Sequence, residues 1–183
     1  MVENVHAAPV SGNPPRLLLV EPNRSALSVM ARRLGDAGYR IVACEAPADA
    51  IAELHRAPVD LVVAELRMAP TSGVDLVRMI RDDTALKDTP VVLITGKSDS
   101  GGAIDGFAAG ADDVVAKPFH FEVLLARIAR RLARARSVRE LLQDKATLDA
   151  RVVTRAIEIG ELRAALEESE AERNRLAGLI RRA

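Results

Sequence analysis

Four polar side chains of the 183-residue sequence stand directly after, or at the end of, short apolar runs. Glu21 follows Leu17-Leu18-Leu19-Val20, Glu65 follows Leu61-Val62-Val63-Ala64, Thr95 follows Val91-Val92-Leu93-Ile94, and Lys117 follows Val114-Val115-Ala116. Lysine is scarce: Lys87, Lys97, Lys117 and Lys145 are the complete set, and Lys117 alone ends an apolar run. Two carboxylates, a hydroxyl and an ammonium suit the handling of a phosphoryl group. Carboxylates accept it or hold Mg²⁺, while hydroxyl and ammonium bind its oxygens. Taken singly, each is an ordinary solvated group at a strand end, so a shared chemistry requires a shared location.

The apolar runs supply that location. Strand-like runs at 17–20, 40–44, 59–64, 91–95 and 113–116 alternate with segments of helical period at 23–37, 47–56, 74–82 and 99–109. Such alternation predicts an α/β domain with a five-stranded parallel sheet, and the continuously apolar strands predict helices on both faces. In an open parallel sheet, reactive groups gather beyond the carboxyl ends of the strands, where all four side chains fall.

Composition narrows the remaining classes. The 26 Lys+Arg balance 26 Asp+Glu, which argues against a general polyanion binder. Hydrophobic residues make up 49% but aromatics only 2%, with no Trp, so the core is expected from Val, Leu, Ile and Ala rather than base-stacking rings. Cys44 is alone, which excludes an intramolecular disulfide and fits a reducing compartment. No apolar run approaches the roughly 18 residues of a membrane span, and no signal-like segment opens the chain, so a cytoplasmic protein without membrane contact is expected.

All nine prolines lie at or before Pro118, dividing the chain into regimes. Residues 1–15, rich in Pro, Gly and Asn, predict a disordered leader. Residues 16–136 hold the α/β domain, and 137–183 shift to Ala, Leu, Arg and Glu, all good helix formers. With Val138 at position a, the heptad positions a and d include Leu141, Leu148, Val152, Ile159, Leu162, Leu166, Leu176 and Ile180, interrupted by Lys145, Arg155, Ser169 and Arg173. Six such heptads predict a dimeric coiled coil on a helix that, continuous from Phe121, would reach about 90 Å. The pair Glu158 with Arg163 has the sign a parallel dimer wants, whereas Asp144 with Asp149 is repulsive. The alternatives are one helix folding back on the α/β domain, or a hairpin breaking at Gly160.

With these pieces in order, the sequence resembles a receiver domain of bacterial two-component response regulators. The resemblance is carried over residues 16–136 by Leu17-Leu18-Leu19-Val20-Glu21, by Asp60 through Met68 with Gly73 eight residues after Glu65, by Val91 through Thr95, and by Gly110 through Phe119. It implies a flavodoxin-like sheet of order 2-1-3-4-5. It also implies that position 65 takes a phosphoryl group from a histidine kinase, that acids after the first strand help bind Mg²⁺, and that Thr95 and Lys117 read the phosphate. An aromatic three residues before the lysine swings with the threonine in that family. The sequence departs from this pattern with Glu65 in place of aspartate, Pro22 in place of the second acid, Val114 in place of the switch aromatic, and Ala69 in place of the usual proline.

Each departure has a physical consequence. Glu65 carries its carboxylate about 1.5 Å further than aspartate, toward where a phosphate would sit and within reach of Lys117. As a nucleophile it would be misplaced, at a cost that can approach 10²-fold in rate. Pro22 removes an oxygen ligand from a hard cation that needs about six, so Mg²⁺ would be held at most weakly, by Glu21 and Glu65, and no cofactor is expected. Asn23 suits a helix N-cap. Together these predict a non-enzymatic pseudo-receiver that signals without phosphorylation, through homodimerisation and a protein partner, either a histidine kinase or a downstream effector. Phosphorylation at Glu65 and a role as regulatory front end of a cyclic-dinucleotide enzyme are the alternatives.

Two further groups carry no function at this level. His6, His55 and His120 lack metal-ligand spacing. The arginines at 127, 130, 131, 134, 136 and 139 read as a solvated helix face; without a recognition motif beside them, nucleic acid is not an expected partner. Gly101, Gly102 and Gly106 predict a weak, mobile fourth helix.

Overall fold

The computed structural model describes residues 13–180, with side chains to residue 171 and at Arg173. Residues 1–12, most of the expected leader, lie outside the described residues, as do the side chains of Leu176 and Ile180 in the expected seam. The chain divides into two units, Met1–Arg136 and Ser137–Ala183.

In the first unit, strands and helices alternate strictly: β1 Arg16–Val20, α1 Arg24–Asp36, β2 Arg40–Cys44, α2 Pro47–Arg56, β3 Leu61–Glu65, α3 Gly73–Asp82, β4 Val91–Gly96, α4 Ser100–Ala108, β5 Asp113–Lys117 and α5, which begins at Phe121. All strand pairs are parallel, in the order β2-β1-β3-β4-β5. This is the flavodoxin-like sheet, with its order reversing between β1 and β3. Pro14 and Pro15, assigned to the leader on composition, are tied to β2, because the Arg40 backbone N–H donates to the Pro15 carbonyl and the Arg40 side chain to that of Pro14.

Each helix forms where local sequence and burial agree. Asn23 caps α1 by accepting the Ala26 N–H at 3.0 Å, and Leu27, Met30 and Leu34 recur at helical spacing on its buried face. Ser72 and Asp75 form a reciprocal capping box on α3, whose apolar residues Val74, Val77 and Ile80 turn inward. Alternate strand residues feed two cores. Leu17, Leu19, Leu61, Val63, Val92 and Ile94 pack under α1 and the start of α5, and Leu18, Val62, Ala64 and Leu93 pack under α2 and α3. Complete burial of one such aliphatic side chain is worth about 1.5–3 kcal/mol.

Two expectations need correction. Gly106 does not simply weaken α4: a Cβ there would lie 2.8 Å from Leu93 Cδ1, so its bareness lets the helix lie close on the sheet. The arginine cluster is not uniformly solvated either. Arg127 and Arg131 reach the buried Asp113 at 2.7 and 3.5 Å, because a carboxylate desolvated at the start of β5 needs partners.

The second unit is the continuation of α5, which runs unbroken to Ile180. There is no break at Gly160; one glycine inside a helix costs about 1 kcal/mol, too little to end one so long. Every described residue from Ser137 onward is exposed, including Leu141, Leu148, Val152, Ile159, Leu162 and Leu166.

Candidate functional site

The carboxyl ends of β1, β3, β4 and β5 bring Glu21, Glu65, Thr95 and Lys117 to one place. Parallel pairing sets Ala64 beside Val20, Glu65 beside Ile94 and Lys117 beside Gly96, so polar residues that end separate apolar runs must meet at one sheet edge. Lys117 stands between the two acids. Its Nζ donates to Glu65 Oε2 at 2.5 Å and to Glu21 Oε2 at 3.3 Å. Both carboxylates are close to dry, with side chains 11% and 7% exposed against 41% for the lysine. Burial pulls the Lys117 pKa down, but the two paired carboxylates outweigh it and leave the ammonium above its usual value.

The other oxygens of the acids are turned to the backbone. Glu21 Oε1 accepts the Asn23 N–H at 2.9 Å, helping to fix the turn into α1, and Glu65 Oε1 accepts the Arg67 N–H at 3.4 Å. Pro22 lies between Glu21 and Asn23 and has no side-chain oxygen or backbone N–H to offer. The Asn23 side chain is committed to its N-cap.

Thr95 is 2% exposed, and its hydroxyl donates to Asp99 Oδ2 at 3.2 Å. Asp99 is gripped by the Arg67 guanidinium through two bonds, Nε to Oδ2 at 2.6 Å and a terminal nitrogen to Oδ1 at 2.5 Å. It also accepts the Gly102 N–H as the N-cap of α4. The Arg67 hydrogen bonds hold the Asp99 carboxyl at about 2, against an opposing effect of burial, so it is ionised throughout the ordinary pH range. Val114 is half-buried, packs with the core under α2 and α3, and comes within contact distance of the open side of Gly106.

The four expected residues therefore share one site but fall into two hydrogen-bonded sets: Lys117 with Glu65 and Glu21, and Thr95 with Asp99 and Arg67. Sequence reasoning found Thr95 but missed its partners Asp99 and Arg67. Asp99 carried the only available signal, an N-cap residue at the head of a helical segment; nothing local connects it to Arg67, which lies 32 positions earlier. Among the described residues no three His, Cys, Asp or Glu side chains converge as metal ligands, and no helix is long and apolar enough to cross a membrane. The peptide bonds Ala69-Pro70 and Lys117-Pro118 beside the site are both cis.

Residues 17–129 match the family described as response regulator receiver domain. The chain is 34% identical over 120 residues to the two-component response regulator PhoP of Pseudomonas aeruginosa, a match covering 66% of this chain and 52% of that protein. The chain thus spans about half the length of the curated relatives it matches. Among solved structures, the response regulator receiver protein of Pseudomonas putida is similar at 27% identity with a TM-score of 0.61, covering 65% of this chain and 98% of that one. The chemotaxis response regulator CheY4 of Vibrio cholerae is similar at 26% identity with a TM-score of 0.60, covering 64% and 98%.

Proposed function

The chain belongs to the response regulator receiver domain family, and on that premise we propose that it is an atypical receiver which signals without phosphorylation, through a protein partner and through pairing of two copies along α5. The observation that carries this is the Lys117–Glu65 ion pair. The lysine is already engaged by the side chain that stands at the acceptor position, and Thr95 is engaged by Asp99. Both groups that would read a phosphate are occupied by carboxylates of the chain itself.

The donor set does not fit the Mg²⁺ ion implied by the family. Glu21 and Glu65 each have an oxygen on the Lys117 ammonium, and Pro22 offers no side-chain oxygen. A cation that demands near-octahedral oxygen coordination would have to enter against that charge. The site therefore works, in this proposal, as a built-in ion pair rather than as a metal-assisted acceptor. A cytoplasmic setting, and a histidine kinase or an effector as the protein partner, belong to the same proposal. The uncovered aliphatic face of α5 supports the pairing, since an apolar stripe so extended calls for a partner.

Intact mass after incubation with a small acyl-phosphate donor and Mg²⁺ tests this, with Glu65→Asp run in parallel. The native chain is expected to gain no phosphoryl group. An adduct mapped to Glu65 on the native chain overturns the proposal.

Retention of Thr95 and Lys117 favours one other reading, slow phosphorylation of Glu65 itself. A Glu65 oxygen would form a bond to phosphorus as the bond to the donor's leaving oxygen breaks, giving an acyl phosphate and the freed donor acid. The same mass measurement decides between the two.

A further inference from the structure

We infer that the second copy lies parallel to the first and in register along α5, and that Lys145, with the aspartates beside it, forms the layer that sets this register. The inference rests on the pairing proposed above and goes beyond it by fixing orientation and alignment.

The helix passes unbroken through the polar positions Lys145 and Arg155, so its stripe of exposed Val, Leu and Ile presents one continuous surface. A lysine inside such a stripe is tolerated only where the partner answers its charge and the long stem can reach the rim. This chain answers it. In a parallel, in-register pair, residue 145 enters a hole made by residues 141, 144, 145 and 148 of the other copy, which brings the ammonium beside Asp144 of the second copy. Asp149 lies one turn further along the lysine's own helix, at the spacing of an intrahelical ion pair. Asp144 and Asp149, which would repel each other across the seam, then each have an ammonium as neighbour. Two heptads on, Glu158 meets Arg163 of the second copy.

Other alignments lose part of this matching. A shift of one heptad sets Lys145 opposite Val152 of the second copy and beside Arg151, a like charge. An antiparallel arrangement of comparable overlap answers Lys145 with the acids around Ser169, but sets Arg155 against Ile159 and Glu158 against its own counterpart. The shifted pair thus sets a like charge beside Lys145, and the antiparallel pair buries Arg155 against an aliphatic layer, whereas in register the two Arg155 side chains meet in one polar layer whose long stems can reach the rim. In register, the polar layers at 145, 155, 169 and 173 coincide, and those at 148, 152, 159, 162 and 166 are wholly aliphatic.

Leu148→Cys in the full chain reads the arrangement, since position 148 faces itself only in the parallel, in-register pair and faces 166 in the antiparallel one. Cys44 is buried and does not compete. Mild oxidation is expected to link most Leu148→Cys chains into covalent dimers. Lys145→Asp is expected to weaken dimerisation about tenfold or more, and adding Asp144→Lys is expected to restore most of it. A native chain that sediments as a dimer, but whose Leu148→Cys variant links only when mixed with Leu166→Cys, overturns the inference and leaves the pairing intact. A native chain that is monomeric throughout the micromolar range overturns both.

Discussion

Glu65 is one methylene longer than aspartate, and its carboxylate sits directly on the Lys117 ammonium. Removing the lysine while keeping its length, Lys117→Met, leaves two nearly dry carboxylates side by side. Because the lysine is itself 41% exposed, the expected loss is about 1–3 kcal/mol, below that of a fully buried pair, and it appears as a lower urea midpoint. The double variant Lys117→Met with Glu65→Gln is expected to recover part of this, and strict additivity of the two changes would show that the groups do not interact. The sign of the pH dependence follows from the raised lysine: its contribution is complete below its ordinary value near 10.5 and fades only as pH rises past that. Asp99 behaves in the opposite sense. Its depressed carboxyl contributes fully above the ordinary aspartate range and loses that contribution as pH falls toward about 2. A carboxyl-carbon NMR titration should place its midpoint near that value and move it up toward about 4 in Arg67→Ala. A native midpoint already near 4 would disprove the Arg67 grip.

The turn from β3 to α3 is the element that holds Glu65 in place. A Cβ on Gly73 would run into the Glu65 carbonyl oxygen and stand 2.9 Å from Leu66 Cα, both backbone atoms that cannot swing aside. The Gly73 N–H also donates to the Leu66 carbonyl at 2.9 Å, closing the loop against the strand. Gly73→Ala is therefore expected to destabilise by about 1–3 kcal/mol, as overpacking does, and to shift the amide resonances of Glu65 and Leu66. Ser72→Ala removes only the cap of α3 and is expected to cost about 1 kcal/mol without those shifts. Equal spectral effects from the two substitutions would count against the close approach as the reason for the glycine. At the other end of α3, Arg81 bonds the carbonyls of Lys87, Thr89 and Gly110 and the carboxylate of Asp112, so one side chain fastens the loops before β4 and β5.

At the scale of the molecule, a charge balance of zero leaves apolar surface as the main driver of the proposed pairing. The described residues of the proposed seam are 48–70% exposed in the single chain, and burying each would return a share of about 1.5–3 kcal/mol. Charged substitutions at Ile159 and Leu162 remove two adjacent layers and are expected to yield monomers by sedimentation, with the thermal unfolding of the receiver unit unchanged. Dimers that persist in the double variant would place the contact elsewhere on the chain.

Much of this was legible in one dimension because the relevant signals are periodic or local. Continuously apolar runs such as Val91-Val92-Leu93-Ile94 mark strands covered on both faces, Asn23 and Ser72 mark helix starts, and a seven-residue aliphatic repeat marks the long helix. The four site residues could be found for the same reason, since each ends an apolar run and a parallel sheet gathers such ends. The reach of Glu65 toward Lys117 was legible through the family resemblance, but tertiary structure alone decided the other pairings. Lys117 lies 96 positions from Glu21, and only the pleat and register of β1, β3 and β5 put their side chains within hydrogen-bond reach. The bonds from Arg67 to Asp99 and from Arg127 to Asp113 are likewise invisible in sequence, because charge attraction carries no periodicity and acts between any two groups the backbone brings close.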